Sequence, residues 1–262
     1  MCRLLGYLGA KIKLDHLLYK PEHSLLVQSY QPKEMTSGVV NADGLGIGWY
    51  HHEQDVNPFT YKSTLPIWND INLPELSRYI ESEAVLGYVR SATAGQALDI
   101  SNCQPFRDNK LLFIHNGSLE NFKKSLYRPM RELLCDEIYQ LIEGNTDSEH
   151  IFALLLNELS SDPDSSIEKA LEKTLTTMTA LAKLHHVSFS ANTIISDGHC
   201  LVASRYAYGS TSPTLYWLRD DPMYPDAVII ASEPLFEGNW NSCKNSSIVT
   251  VAENLDVKVH QL

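Results

Sequence analysis

Short apolar runs broken by turn-forming pairs fill the first third of the chain. The runs are Cys2–Leu8, Gly46–His51, Ala84–Ser91 and Lys110–His115, punctuated by Asp43-Gly44, Asn57-Pro58 and Asn116-Gly117. This pattern predicts antiparallel strands. The period then changes: Pro129–Glu143, Ser148–Leu159 and Ile167–His185 read as helices, the last with Ile167, Leu171, Leu175, Met178 and Leu181 at steps of three and four. Strand-length runs return at Asn192–Ser196, Leu201–Ser204, Thr214–Leu218, Ala227–Ala231, Ser247–Val251 and Leu255–His260. Strands, then helices, then strands again predict an α+β fold in which two sheets carry helices on their outer faces. The acidic stretch Ser160–Ser166 is a loop candidate, but about five to seven residues is an ordinary connection between helices. No repeat or long linker divides the chain, so one domain is expected.

Composition narrows the function. Of 262 residues, 44% are apolar and 20% charged, as in an ordinary globular protein. The 21 basic and 32 acidic residues give a net charge of −11, which argues against nucleic acid or an anionic membrane surface as partner. The first ten residues do not form a signal peptide, and no apolar run approaches the roughly eighteen residues of a membrane span. A cytoplasmic protein is expected. Five widely spaced cysteines without a Cys-x-x-Cys suggest neither disulfides nor a zinc ribbon, and no metal or cofactor motif is present. The glycines of Gly44-Leu-Gly46-Ile-Gly48 lead into Trp49-Tyr50-His51-His52, which reads as a strand and offers no helix N-terminus to a pyrophosphate. His51-His52 and His185-His186 lack ligand spacing and read as solvated or partly buried histidines.

Four local features carry candidate chemistry. Cys2 follows the initiator methionine, which is normally removed before a small residue. A mature chain beginning at Cys2 would bear a thiol nucleophile and a free α-amine of pKa roughly 7.7–8.0 on one residue, and that amine can serve as the base. Arg90 leaves an apolar strand in Gly87-Tyr-Val-Arg90-Ser-Ala-Thr93-Ala-Gly95, where it either makes a structural ion pair or meets a substrate carboxylate in bidentate fashion. Asn116-Gly117 ends the run Leu111–His115. It is either a tight hairpin turn or an oxyanion hole formed by the Asn116 amide and the Gly117 backbone N–H. Thr146-Asp147-Ser148-Glu149 fits a capping box, with Thr146 as N-cap and Glu149 three residues on, which leaves Asp147 free to face a pocket.

Cys2, Gly-x-x-Arg-x-Ala-Thr, His-Asn-Gly and Thr-Asp-Ser-Glu, in this order and along most of the chain, resemble the class II glutamine amidotransferases, which are N-terminal-nucleophile hydrolases. Met-Cys-Arg-Leu-Leu-Gly, Leu25–Tyr30, Asn41-Ala-Asp-Gly44, Val89–Thr93 and Gln104-Pro-Phe106 are similar to the branch that removes glutamate from γ-glutamyl-hercynylcysteine sulfoxide in ergothioneine biosynthesis. The resemblance implies a four-layer αββα sandwich of two antiparallel sheets, a single domain over residues 2–262, and hydrolysis through a Cys2 γ-glutamyl thioester without a cofactor. It also implies that Arg90 binds the substrate α-carboxylate, that Thr93 belongs to the same substrate-binding segment, that Asp147 binds the α-ammonium, and that Asn116 with Gly117 forms the oxyanion hole. Tyr88, Val89, Ser91 and Ala94 depart from the Gly-His-Thr-Arg-Trp-Ala-Thr-His-Gly of many glutaminase domains, so the pocket wall beside the glutamyl group is expected to differ. A glutaminase serving a synthase partner, a glutathione-degrading relative and a non-catalytic binding protein on the same scaffold are the alternatives. The chain's end at Leu262 leaves no room for a synthase domain, which favours a stand-alone hydrolase and leaves a separate synthase partner or a homo-oligomer open.

Overall fold

Two antiparallel sheets pack face to face in the computed structural model, which describes residues 1–35, 38–51, 55–92 and 98–262. In chain order the strands are β1 (Arg3–Lys13), β2 (Leu45–His51), β3 (Asp55–Ser63), β4 (Glu81–Val89), β5 (Phe106–Asp108), β6 (Leu111–Leu119), β7 (Phe189–Ser196), β8 (Leu201–Tyr208), β9 (Tyr216–Asp221), β10 (Tyr224–Ala231), β11 (Asn241–Ser242), β12 (Ser247–Val251) and β13 (Val257–Gln261). The helices are α1 (Asp15–Leu18), α2 (Leu25–Tyr30), α3 (Leu73–Tyr79), α4 (Phe122–Ser125), α5 (Tyr127–Arg131), α6 (Asp136–Gln140), α7 (Asp147–Ser161) and α8 (Ile167–His185). One sheet has the order β11-β9-β10-β1-β4-β2-β3 and the other β13-β12-β8-β7-β6-β5.

Central strands must be apolar on both faces, and β1 shows why. Leu4 and Leu8, with Leu86 of the neighbouring β4, point to the facing sheet, where they meet Ile114 and Ile194. Leu5 and Tyr7 point outward to Leu17, Leu18 and Leu25 of the α1–α3 layer. The other sheet is covered by α4–α8, with Phe113 and Phe189 of the sheet packed against Phe152 of α7 and Leu175 of α8. The layers therefore run helix, sheet, sheet, helix, as the resemblance implied. The glycines of β2 set the spacing at one edge. A Cβ on Gly46 would meet the Gln104 carbonyl oxygen at 1.7 Å, and one on Gly48 would meet Leu112 Cδ1 at 2.6 Å.

Three expectations are corrected. Asn116-Gly117 is not a turn: β6 runs on to Leu119, with Asn116 opposite Asn192 and Gly117 opposite Ala191 on β7. The helix expected over Pro129–Glu143 is two, α5 and α6, because Cys135 between them is extended and its N–H donates to Asn157 Oδ1 at 2.9 Å. Asn57-Pro58 lies inside β3 rather than between strands, which a proline tolerates because β3 is the sheet's edge. Among the described residues no helix is long and apolar enough to cross a membrane.

Candidate active site

Strand alternation brings the candidates to one end of the space between the sheets. Cys2 precedes β1 by one residue and packs half-buried against the inter-sheet core. Arg90 follows β4 by one residue, two steps beyond Tyr88 of the same core. It is 2% exposed, and its backbone extends the ladder: Arg90 N–H donates to Gly44 O at 2.8 Å and Asp43 N–H to Arg90 O at 3.0 Å. On the facing sheet Asn116 follows Leu112 and Ile114, both inter-sheet residues of β6. Asn116 is 1% exposed, and neither its Nδ2 nor its Oδ1 has a hydrogen-bond partner. Buried amides without partners are rare and costly, so this one calls for a ligand to complete it.

The Cys2 sulfur is held from two sides. Tyr88 Oη lies 3.0 Å away, and the Ser91 N–H donates to the sulfur at 3.4 Å. Burial, and after it the neighbouring Cys2, pushes the Tyr88 phenol well above its ordinary pKa. The amino terminus beside Cys2 belongs to Met1, and burial lowers its pKa below that of a free α-amine. Behind the nucleophile, Arg3 donates to Glu233 Oε1 at 2.7 Å. Glu233 also pairs with His23 at 2.7 Å and accepts the N–H groups of Lys33 and Glu34 at 2.8 and 3.0 Å. These bonds tie the start of β1 to the segment that follows α2, and they hold the Glu233 carboxyl below the usual range against its own burial.

The far end of β6 has one free flank, because β5 pairs with it only from Leu111 to Phe113. Gln104 closes the flank at His115, accepting its N–H and donating Nε2 to its carbonyl at 3.2 Å. Asp147 closes it at Leu119, whose N–H donates to Asp147 Oδ2 at 2.9 Å. Gly117 lies midway, and by the period of two its N–H points to the same flank. A side chain at Gly117 would meet the Ser190 carbonyl at 2.0 Å and His115 Nε2 at 2.6 Å, so the position admits only hydrogen.

Asp147 is buried as the first residue of α7, with Oδ1 accepting the Ser148 N–H at 3.0 Å. Half of the expected capping box is present: Thr146 Oγ1 accepts the Glu149 N–H at 3.3 Å. Glu149 does not reach back to Thr146. Its Oε1 accepts instead from Glu143 and Gly144 N–H at 2.8 and 2.9 Å. The structure thus brings Cys2, Arg90 and Asn116 to the inter-sheet space and sets Gly117 and Asp147 along the adjoining flank of β6. Thr93 lies outside the described residues. Tyr88 and Gln104 had no assigned role in the sequence. The only signals were the tyrosine in place of a histidine and the Gln-Pro-Phe segment. Among the described residues no group of three or more His, Cys, Asp or Glu side chains is placed to hold a metal ion.

Comparison with known proteins shows the family. The family model for class-II glutamine amidotransferases matches residues 1–257. A probable glutamine amidotransferase of Saccharomyces cerevisiae, DUG3, is 32% identical over 293 aligned positions, covering 96% of this chain and 82% of its own. The γ-glutamyl-hercynylcysteine sulfoxide hydrolase of Mycobacterium tuberculosis is 35% identical over 257 positions, covering 97% of this chain and 94% of its own. The structure of a glutamine aminotransferase class-II domain protein from Silicibacter pomeroyi superposes with a TM-score of 0.73 at 24% identity, over 100% of this chain and 99% of that one. At that identity the likeness concerns the fold.

Proposed function

The chain belongs to the class-II glutamine amidotransferases and is an amidohydrolase, and on that premise we propose that it cleaves the γ-glutamyl amide of γ-glutamyl-hercynylcysteine sulfoxide through a Cys2 thioester. The observation that carries the mechanism is the Cys2 sulfur, held by Tyr88 and the Ser91 N–H beside a buried arginine. Removal of Met1 gives Cys2 its own α-amine. That amine takes the thiol proton, the thiolate attacks the γ-carbonyl, and the proton passes to the leaving nitrogen. Water then attacks the thioester with the same amine as base and releases glutamate.

Each remaining group has a separate task. Arg90 grips the α-carboxylate in bidentate fashion, and Asp147 meets the α-ammonium through the lone pairs that Leu119 and Ser148 leave open. Thr93 completes the substrate-binding segment after Arg90. The Asn116 amide and the Gly117 N–H receive the oxyanion. The unpartnered Asn116 Nδ2 supports this assignment, since a donor that costs stability while empty is available when charge develops. Residues 2–262 act as one domain, in the cytoplasm and with no cofactor.

The leaving group rests on the 35% identity to the mycobacterial hydrolase. The 32% identity to DUG3, a probable glutamine amidotransferase, supports glutamine as a second choice, with ammonia passed to a synthase partner, and a glutathione-like compound is the third. Assaying the hercynyl conjugate, glutathione and glutamine side by side decides between them. A kcat/KM highest for the hercynyl conjugate is expected. Preference for glutamine or glutathione would overturn the substrate, and no turnover of any with Met1 retained would favour a binding protein.

A further inference from the structure

Tyr88 is the last inter-sheet residue of β4 and the register partner of Leu4, so its ring is fixed by the packing of both sheets. Its hydroxyl nevertheless ends on a sulfur rather than on a backbone group, at 3.0 Å. We propose that Tyr88 is a further catalytic residue, a hydrogen-bond donor that stabilises the Cys2 thiolate and aims it into the space between the sheets.

The direction of the bond follows from which proton leaves first. With the phenol fully buried, desolvation and the adjacent Cys2 both oppose its ionisation. The phenol therefore keeps its proton, and the one the α-amine removes is the thiol's. Once the sulfur is charged it can only accept, and Tyr88 O–H and Ser91 N–H point at it from two sides. In the thiol form the sulfur's own proton has an acceptor in the Ser91 carbonyl at 3.6 Å. The thiol proton passes to the α-amine and from there to the leaving nitrogen, so Tyr88 exchanges no proton and forms no covalent bond. Charge-assisted bonds of this kind are stronger than neutral ones, and they weaken as the sulfur becomes a neutral thioester.

Other titratable groups share the neighbourhood: Arg3 on β1, Asp43 before β2, Arg90 after β4, Cys103 before β5 and the amino terminus. Substitution at Tyr88 leaves all of them in place. Tyr88→Phe also keeps the ring and removes one oxygen, which separates the hydroxyl's role from its packing.

The proposal rests on Cys2 as nucleophile, and the test keeps the two claims apart. Protein lacking Met1 is prepared as parent, Cys2→Ala and Tyr88→Phe. For each, kcat/KM is followed against pH, and alkylation by iodoacetamide is read on the N-terminal peptide, so that the exposed Cys135 does not count. In Tyr88→Phe the acid limb of both profiles should move up by about one pH unit, a roughly tenfold loss on that limb, with KM at high pH unchanged. Profiles that coincide with the parent would overturn the proposal, whatever happens to the melting temperature. Should the phenylalanine variant fail to fold, 3-fluorotyrosine at position 88, a stronger donor, should move both limbs down, and coincident profiles there would overturn it equally. Turnover by Cys2→Ala would remove the nucleophile assignment itself.

Discussion

Asn116 and Asn192 face each other as register partners on β6 and β7, both fully buried, and three of their four side-chain polar atoms lack a partner. Asn192 Nδ2 is taken by the carbonyls of Pro213 and Thr214, at 2.9 and 3.1 Å. Asn116 is left with both of its atoms unused, and that is the state expected of a donor kept for an oxyanion. Asn116→Ala should lower kcat by about two to three orders of magnitude with little change in KM. The same variant should melt no lower than the parent, because it removes polar atoms that are buried unpaired. Steady-state kinetics and a thermal melt on one preparation check both parts. A lower melting temperature with unchanged kcat would make Asn116 structural.

Arg90 is buried at the exit of β4, where a lysine keeps the charge but loses the planar fork. Arg90→Lys should weaken binding of the glutamyl moiety by about 2 kcal/mol, the scale of one charge-assisted hydrogen bond. KM for the preferred substrate reads the effect. Unchanged kinetic constants would take Arg90 out of the pocket.

Asp147 and Thr146 sit side by side at the start of α7, with different bonds. Asp147 links the helix to Leu119 of β6, whereas Thr146 caps only its own first turn. Asp147→Asn should therefore raise KM and also lower the melting temperature, since one carboxylate oxygen becomes a donor facing N–H groups. Thr146→Ala should cost about 1 kcal/mol of stability and leave both kinetic constants alone. A melting change without a KM change in Asp147→Asn would mean that the residue is a structural tie alone.

His150, on α7, gives a pH signature independent of catalysis. Arg131 Nε donates to its Nε2 at 2.9 Å, so the Nδ1 proton goes to the Thr146 carbonyl at 2.7 Å and the ring is fixed as neutral. Burial is the main reason its pKa falls to about 4. The unfolded chain takes up this proton near pH 6.5 and the folded one only near pH 4, so the neutral ring's contribution is complete above pH 6.5 and is lost as the pH falls towards 4. The loss is on the order of 3 kcal/mol. Urea unfolding across that range should give a shallower pH slope for His150→Gln than for the parent. Parallel slopes would contradict the assignment.

Legibility in the sequence followed the length of each periodic segment. The helix read over Ile167–His185 is α8 to the residue, because five apolar side chains over five turns leave one face to bury. The strand read at Ser247–Val251 is likewise β12. The helix read over Pro129–Glu143 failed, because apolar spacing alone does not reveal that the Asn157 side chain takes the Cys135 N–H and interrupts it. Asn116-Gly117 misled in a useful way: the pair has turn chemistry, but it sits mid-strand where Gln104 and Asp147 occupy the flank a neighbouring strand would fill. Those two side chains come from about a dozen residues before and about thirty after the pair, and no local pattern marks such contacts. Tyr88 was hidden for the same reason, since a strand tyrosine ordinarily signals packing.

The central claim is that Cys2, exposed by loss of Met1, is the nucleophile. Intact-mass measurement of the purified protein, followed by a γ-glutamyl hydrolysis assay on parent and Cys2→Ala, tests it most directly. The account predicts a mass lacking Met1, turnover by the parent, and none above the uncatalysed rate for a Cys2→Ala variant with an unchanged melting temperature. Substantial hydrolysis by Cys2→Ala, or full parental activity in protein that keeps Met1, would contradict it.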